Sequence, residues 1–564
     1  MAKTDVVIMI GGEAGHGLVT IGNVLAKTLI QAGYEIVVSQ DYMSRVRGGH
    51  NTFVIRAATH PIQAPVEGVD LLVALNQETL ELHEGELNPG ALVVADTGLT
   101  CDNASCFSVP YKNLSEGRYV NTVALGVVAC LLGLDQAVVG QTLEKQLGKK
   151  SPEVTQKNVE ALAKAYDLCG DSAPESDHLE PTSPKDERIM LGGNEAIGLG
   201  ALAAGLKFLS FYPMTPATSV ALTVIGAAQK MGVVVEQAED EIAAINMALG
   251  ASYAGAPAMV CTSGGGYALM TEGVSLAGIT ETPIVIVLAQ RPGPATGLPT
   301  RTEQGDLKFA LYGGHGEFPR AIFAPGDLNQ CFDLTVKAFH TAEKYQSPVF
   351  VLTDQYLADS YRGVPPFDLT SVKPVKAGDE AASQIGQAYE RYALSADGVS
   401  PRAIPGAGSS LVLSDSDEHD AKGHITESAE VRVAQHEKRL RKADGLREEV
   451  IAPVFTGPEE AEVLLVSWGS AKGAVAEAAE RLAEQGQKVA TCHFCQVWPL
   501  QPGQFLPQFE DALKVVMIEM NAGGQLARLI RQETGFKVDQ LINRYDGRPF
   551  TPEYVLKELA KEAR

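Results

Sequence analysis

Four short apolar runs in the middle of the chain each end in a residue able to do chemistry. Lys207-Phe208-Leu209-Ser210-Phe211 runs into Tyr212-Pro213-Met214-Thr215-Pro216, whose two prolines fix φ and forbid a continuing helix, so the Thr215 hydroxyl is held on a rigid turn. Val233-Val234-Val235 leads into Gln237-Ala238-Glu239-Asp240-Glu241, where acids suit the positive end of a helix predicted over 242–254. Ala258-Met259-Val260-Cys261 meets Thr262-Ser263-Gly264-Gly265-Gly266, a hydroxyl followed by glycines that let backbone amides approach a ligand closely. The run from Ile284 to Leu288 ends at Gln290-Arg291 and a Gly/Pro-rich loop, Pro292 to Pro299.

Strands alternating with helical stretches of about a dozen residues predict a parallel sheet with helices on both faces. Ligands sit beyond the carboxyl ends of the strands in such sheets, so Thr215, Glu241, Ser263 and Arg291 are expected to converge there.

At 564 residues the chain is too long for one core, and a guide of about 150 residues per domain predicts three or four domains. A net charge of −23 argues against nucleic acid or an anionic membrane as partner, and against docking a strongly acidic protein on this chain. No signal peptide is visible after Met1, and no apolar run approaches the roughly 18 residues of a membrane span, so a cytoplasmic protein is expected. The eight cysteines form no array that could hold an iron–sulfur cluster, so any cluster must come from a partner. Cys492 and Cys495 lie in a strand-like run, Lys488 to Trp498, where residues three apart face opposite sides; two buried or half-buried thiols are expected rather than a redox pair.

Along the chain, Asp5 to Ile10 reads as a buried strand turning through Gly11-Gly12-Glu13-Ala14-Gly15-His16-Gly17 into a helix over 18–32. That turn either binds a phosphate or permits tight strand–helix packing. Gly12, Gly15 and Gly17, with Arg45 and Arg47 in Ser44-Arg45-Val46-Arg47-Gly48-Gly49-His50-Asn51, could cradle a phosphorylated carrier such as coenzyme A; the alternative is an ordinary interface loop. An acidic, proline-bearing stretch from Asp167 to Glu187 reads as a linker. A helix over 194–205 opens the central domain, with Asn194 in position to cap it. Residues 366–456 are less apolar and carry a charged helix, Glu430 to Lys442. Asp417, Glu418, His419, Asp420 and His424 there read as solvated surface rather than a metal site. The α/β pattern repeats from Glu462 to the end.

These motifs, in this order, resemble the α subunit of the 2-oxoacid:ferredoxin oxidoreductases with a γ domain fused at the N-terminus. The resemblance covers essentially the whole chain. It rests on Tyr212 to Pro216, Glu239 to Ala244, Thr262 to Gly266, Gln290 to Thr300, Ser400-Pro401-Arg402 and Asp417-Glu418-His419. Met214 replaces the usual Ile and Ala295 a common Ser, and neither alters the chemistry. Within the family the 2-oxoglutarate enzymes are most alike; pyruvate or a branched-chain 2-oxoacid is the alternative, and a nucleotide-binding α/β module the non-enzymatic one.

The resemblance implies three α/β domains joined by linkers: a Rossmann-like γ domain (1–170), a linker (171–188), a thiamine-pyrimidine-binding domain (189–365), an extended connector (366–456) and a C-terminal transketolase-C-like domain (457–564). It implies thiamine diphosphate at an interface with a β subunit that holds the diphosphate, Mg2+ and a 4Fe-4S cluster. It also implies coenzyme A as acyl acceptor, ferredoxin as electron acceptor and an (αβ)2 heterotetramer. No Gly-Asp-Gly motif with a downstream Asn is found here, so no metal is expected in this chain. By resemblance Glu241 contacts the cofactor's ring N1′, where the bland alternative is a capping carboxylate. Arg291 holds the substrate C1 carboxylate, since a guanidinium fork matches that group. Thr215 adds a hydroxyl or merely stabilises its turn. Arg301 reads a distal carboxylate or sits at a subunit interface. Tyr212, Pro213, Ser263, Gly264 and Gly265 line the cofactor.

Overall fold

The computed structural model describes residues 3–44, 49–103, 105–115, 119–148, 151–172, 179–184 and 187–561. Its class is α/β, as the alternation of apolar runs predicts. The chain forms two compact units, Met1–Leu191 with Asp359–Pro366 and Thr551–Tyr554, and Gly192–Ala358 with Phe367–Phe550 and Val555–Arg564.

In the first unit a six-stranded sheet runs in the order Glu35–Asp41, His50–Ala58, Asp5–Glu13, Val69–Ala74, Leu87–Asp96, Cys106–Val109. Only His50–Ala58 is antiparallel to its neighbours. Ile8, Val24, Leu25, Phe53 and Val73 are fully buried in its core. The first strand does not turn at Gly11 as its paired glycines suggest: Gly12 faces Asn51 and Glu13 faces His50 in the ladder, because the antiparallel partner continues past them. The turn is made by Gly15 (φ 102) and Gly17 (φ 77), before the helix Leu18–Gln31. A Cβ on Gly17 would lie 2.6 Å from Asn121 Nδ2, so the glycine admits the start of the helix Val120–Leu131. Arg45 and Arg47 fall outside the described residues. The helix Pro152–Ser172 carries on beyond Asp167, where the pattern suggested a linker.

The second unit holds two sheets. The larger runs Gln496–Trp498, Ala321–Phe323, Pro348–Asp354, Ile284–Gln290, Ala258–Thr262, Phe208–Phe211, Val234–Gln237, parallel except for Gln496–Trp498. The smaller runs Val454–Thr456, Val489–Phe494, Val463–Trp468, Lys514–Glu519, Gln540–Asn543, with Val454–Thr456 antiparallel. One core joins them, including Ile286, Leu288, Phe350, Trp468 and Phe494. Lys488 to Trp498 is therefore two strands in two sheets rather than one, broken at Cys495. Cys492 and Cys495 are both buried, and burial pushes both thiols up.

Three sequence expectations need correction here. The helix opening the unit, Gly193–Ala203, is capped by Gly192, whose amide donates to Glu195 Oε2 at 2.8 Å, and Asn194 is buried inside it. His419 is not on a solvated face: it is fully buried, donates from Nδ1 to Asp417 O and packs its ring on Tyr392 at 4.0 Å, while Glu418 accepts from Arg432 and Arg439. The charged helix extends over Ala429–Glu448 and buries Lys438, Arg439 and Lys442. Among the described residues no helix is long and apolar enough to cross a membrane, and no His/Cys/Asp/Glu group is arranged to hold a metal ion.

Candidate active site

The loops at the carboxyl ends of the four central strands carry the predicted residues. Ser210 Oγ donates to Ala244 O at 2.6 Å and ties the Phe208–Phe211 strand to the helix Glu241–Tyr253. Beyond that strand, Asn194 Nδ2 donates to Pro216 O and to Ser219 Oγ, both at 2.8 Å, and so holds the proline turn from below. Tyr212 (40% exposed) and Pro213 stand open on it, and Thr215 is half-buried. Arg291 Nη1 donates to Thr215 O at 2.7 Å. The structure therefore brings Thr215 and Arg291 together, with the other guanidinium N–H groups left without a protein acceptor among the described residues.

Glu241 does not cap its helix. Asp240 does, accepting from Ala243 N at 2.7 Å, and Glu241 turns inward, 3% exposed, with Oε1 buried and unpartnered. A Cβ on Gly266 would lie 2.7 Å from that oxygen and 2.2 Å from Thr262 Oγ1, so only glycine fits beside the carboxyl group. Ser263 stands at the cap position of the helix Gly264–Ile279 yet makes no side-chain cap bond, and its Oγ too is buried without a partner. Gly265 is exposed, and a Cβ there would come no closer than 3.8 Å to Ala295 O.

The loop after Arg291 is pinned along its length. Thr302 Oγ1 donates to Asp354 Oδ1 at 3.0 Å, and Gln304 Nε2 to Trp468 O at 2.8 Å. Fully buried Gln290 accepts from Asp306 N at 2.9 Å. Asp306, absent from the sequence reading, sits with its carboxyl group against Gly264; burial raises it to about 6, with Arg291 opposing. Its signal was an acid just before the short apolar helix Leu307–Tyr312. Burial lowers Arg291, opposed by Asp306. Arg301 lies farther along, its stem 3.0 Å from where a Cβ on Gly547 would be.

A family model described as pyruvate flavodoxin/ferredoxin oxidoreductase, thiamine diphosphate-binding, matches residues 199–438, and one described as pyruvate ferredoxin/flavodoxin oxidoreductase matches residues 7–168. Subunit alpha of 2-oxoacid:ferredoxin oxidoreductase 2 from Aeropyrum pernix is 32% identical over 97% of this chain and 96% of its own. This chain belongs to the 2-oxoacid:ferredoxin oxidoreductases. It is an α subunit of that thiamine diphosphate-dependent family with the γ-type domain fused at its N-terminus, and as an α subunit it works with partner subunits and with ferredoxin as acceptor. The 2-oxoglutarate oxidoreductase subunit KorA of Mycobacterium tuberculosis is 31% identical over 93% of the α subunit and 87% of its own length. A solved 2-oxoglutarate:ferredoxin oxidoreductase from Magnetococcus marinus, with 2-oxoglutarate, coenzyme A and succinyl-CoA bound, matches with a TM-score of 0.92 and 34% identity over 99% of each chain.

Proposed function

We propose that this α subunit, together with a β subunit holding Mg2+, the cofactor's diphosphate and a 4Fe-4S cluster, catalyses coenzyme A-dependent oxidative decarboxylation of 2-oxoglutarate to succinyl-CoA and CO2, or the reverse. The likeness to the Magnetococcus enzyme and to KorA supports the choice of oxoacid. The observation that carries the reading is Glu241: a buried carboxyl oxygen without a partner, at the ligand-binding end of the sheet, fits the ring nitrogen of a thiamine pyrimidine. Bound thiamine diphosphate supplies a nucleophilic carbon for attack on the 2-oxo group and takes up the electrons left by decarboxylation.

Glu241 exchanges a proton with ring N1′ and holds the pyrimidine in register. Ser263, Gly264 and Gly265, with Tyr212 and Pro213, are assigned to the lining of the cofactor; the buried, unpartnered Ser263 Oγ supports that assignment. The Arg291 fork holds the C1 carboxylate, kept in place by its bond to Thr215 O, and the Thr215 hydroxyl donates to the same group. Arg301 is assigned to the distal carboxylate of a dicarboxylic substrate. In the first unit, Gly12, Gly15, Gly17, Arg45 and Arg47 are assigned to coenzyme A.

The test is coenzyme A-dependent reduction of ferredoxin or a viologen by the purified complex, comparing 2-oxoglutarate, pyruvate and 2-oxoisovalerate. Turnover with 2-oxoglutarate that Glu241→Gln abolishes supports the reading; a complex carrying its cluster that turns over none of the three overturns it.

A further inference from the structure

Asp306 is built into this site with more support than a surface acid needs. Its amide is fixed by Gln290 Oε1, and Gln290 is in turn fixed by its own Nε2 donating to Thr353 O at 3.1 Å. The carboxyl group lies flat on the first residue of the helix Gly264–Ile279: a Cβ on Gly264 would meet Oδ2 at 2.6 Å and Oδ1 at 2.7 Å. It occupies the cap position of the helix Leu307–Tyr312 without capping it, and Oδ2 is buried with no hydrogen-bond partner. Arg291, which reaches Thr215 instead, forms no ion pair with it.

A carboxylate oxygen buried with no donor, as Asp306 Oδ2 is, is costly, so such a group takes a proton or waits for a ligand. Two charged side chains face it: Arg291 from the end of the Ile284–Gln290 strand, and Glu303 from the loop, itself raised by burial and by Asp306. The helix packed beneath presents Gly264 and Ser263, which carry no charge. Burial holds the Asp306 carboxyl up at about 6, with Arg291 pulling the other way. An incoming anion that occupies Arg291 removes that opposing pull and offers an acceptor for an O–H.

We propose that Asp306, in its protonated form, donates a hydrogen bond to the carboxylate that Arg291 holds, so that each 2-oxoacid bound takes up a proton from solvent. This rests on the assignment of the site as an oxoacid site. The bound oxoacid lies between a guanidinium and a neutral carboxylic acid, and the site loses its grip as Asp306 ionises.

The assembled complex, depleted of thiamine diphosphate so that no decarboxylation follows binding, is titrated with 2-oxoglutarate by calorimetry at about pH 7.5 in two buffers of different ionisation enthalpy. Wild type takes up close to one proton per site, and Asp306→Asn, a permanent neutral donor, takes up none. In turnover, the wild-type KM rises toward about tenfold per pH unit above neutrality while kcat holds, and Asp306→Asn gives a flat KM. A wild-type complex that binds and turns over 2-oxoglutarate with no proton uptake overturns the role of Asp306 and leaves the site assignment standing. One that neither binds nor turns over any 2-oxoacid overturns both.

Discussion

Glu281 Oε1 accepts a hydrogen bond from Lys438 Nζ at 2.7 Å, with both side chains no more than 1% exposed. Lys442 closes on the same carboxylate, and Arg391 Nη2 donates to the Glu281 carbonyl at 2.8 Å. Burial alone would raise Glu281, but Lys442, Lys438 and Arg391 together hold it down at about 2. One anion thus fastens the helix Ala429–Glu448 to the end of the Gly264–Ile279 helix, within the second unit. The three cations rank the outcome of mutation. Glu281→Gln leaves them facing one another and is expected to cost about 3–5 kcal/mol, whereas Lys438→Met leaves the carboxylate paired with Lys442 and costs clearly less. Denaturant unfolding of both variants checks the order; equal losses would mean that the carboxylate is not the organising group.

That ion cluster was illegible in the sequence for a definite reason. Lys438 and Lys442 read only as part of a charged helix because their partner lies 157 residues away from Lys438, and no local pattern announces it. His419 failed in the same way, its burial depending on Tyr392. The strand ends at Phe211, Thr262 and Gln290 were legible because each signal is local: an apolar run stopped by proline, by glycine, or by an arginine before a Gly/Pro loop. Gly12 misled because a glycine pair breaks an isolated strand but not one whose antiparallel neighbour keeps pairing. Asp306 needed Gln290 and Gly264 to be seen beside it.

Two glycines separate packing from chemistry. Gly266→Ala places a methyl group 2.7 Å from Glu241 Oε1 and 2.2 Å from Thr262 Oγ1, and Gly250→Ala, on the exposed face of the helix Glu241–Tyr253, places one in open space. A displacement of the carboxyl group by about an ångström is expected to lower kcat roughly a hundredfold. Gly250→Ala is expected to fold and turn over near the wild-type rate. Steady-state kinetics on both, with melting curves as control, makes the comparison; equal activity of the two would remove Glu241 from the reaction.

Arg291→Lys keeps the charge and loses the fork. The ammonium reaches either Thr215 O or a substrate carboxylate, not both. The loss of a charged hydrogen bond of about 1.5–3 kcal/mol appears as a KM for the oxoacid roughly 10- to 100-fold higher, with a smaller effect on kcat. A variant that lowers kcat and leaves KM untouched would place Arg291 away from the ground-state carboxylate.

His493 gives the fold a pH dependence of its own. The ring is buried between Ser467, whose Oγ lies 3.2 Å from Nδ1, and Gly326, where a Cβ would come within 2.7 Å of Nε2. Burial, then Lys472, holds the imidazole down at about 3 against the opposing charge of Asp327. The unfolded ring takes up its proton near 6.5 and the folded one only near 3, so this contribution is fully present above about pH 6.5 and drains away as the pH falls toward 3. It amounts to on the order of 5 kcal/mol when complete. His493→Gln titrates nothing, so the stability difference between wild type and variant is expected to shrink steadily from pH 7 to about pH 4 in urea unfolding followed by Trp fluorescence. A difference that stays constant across that range would mean that the folded ring takes up its proton over the same range as the unfolded one, and that Asp327 offsets burial and Lys472 together.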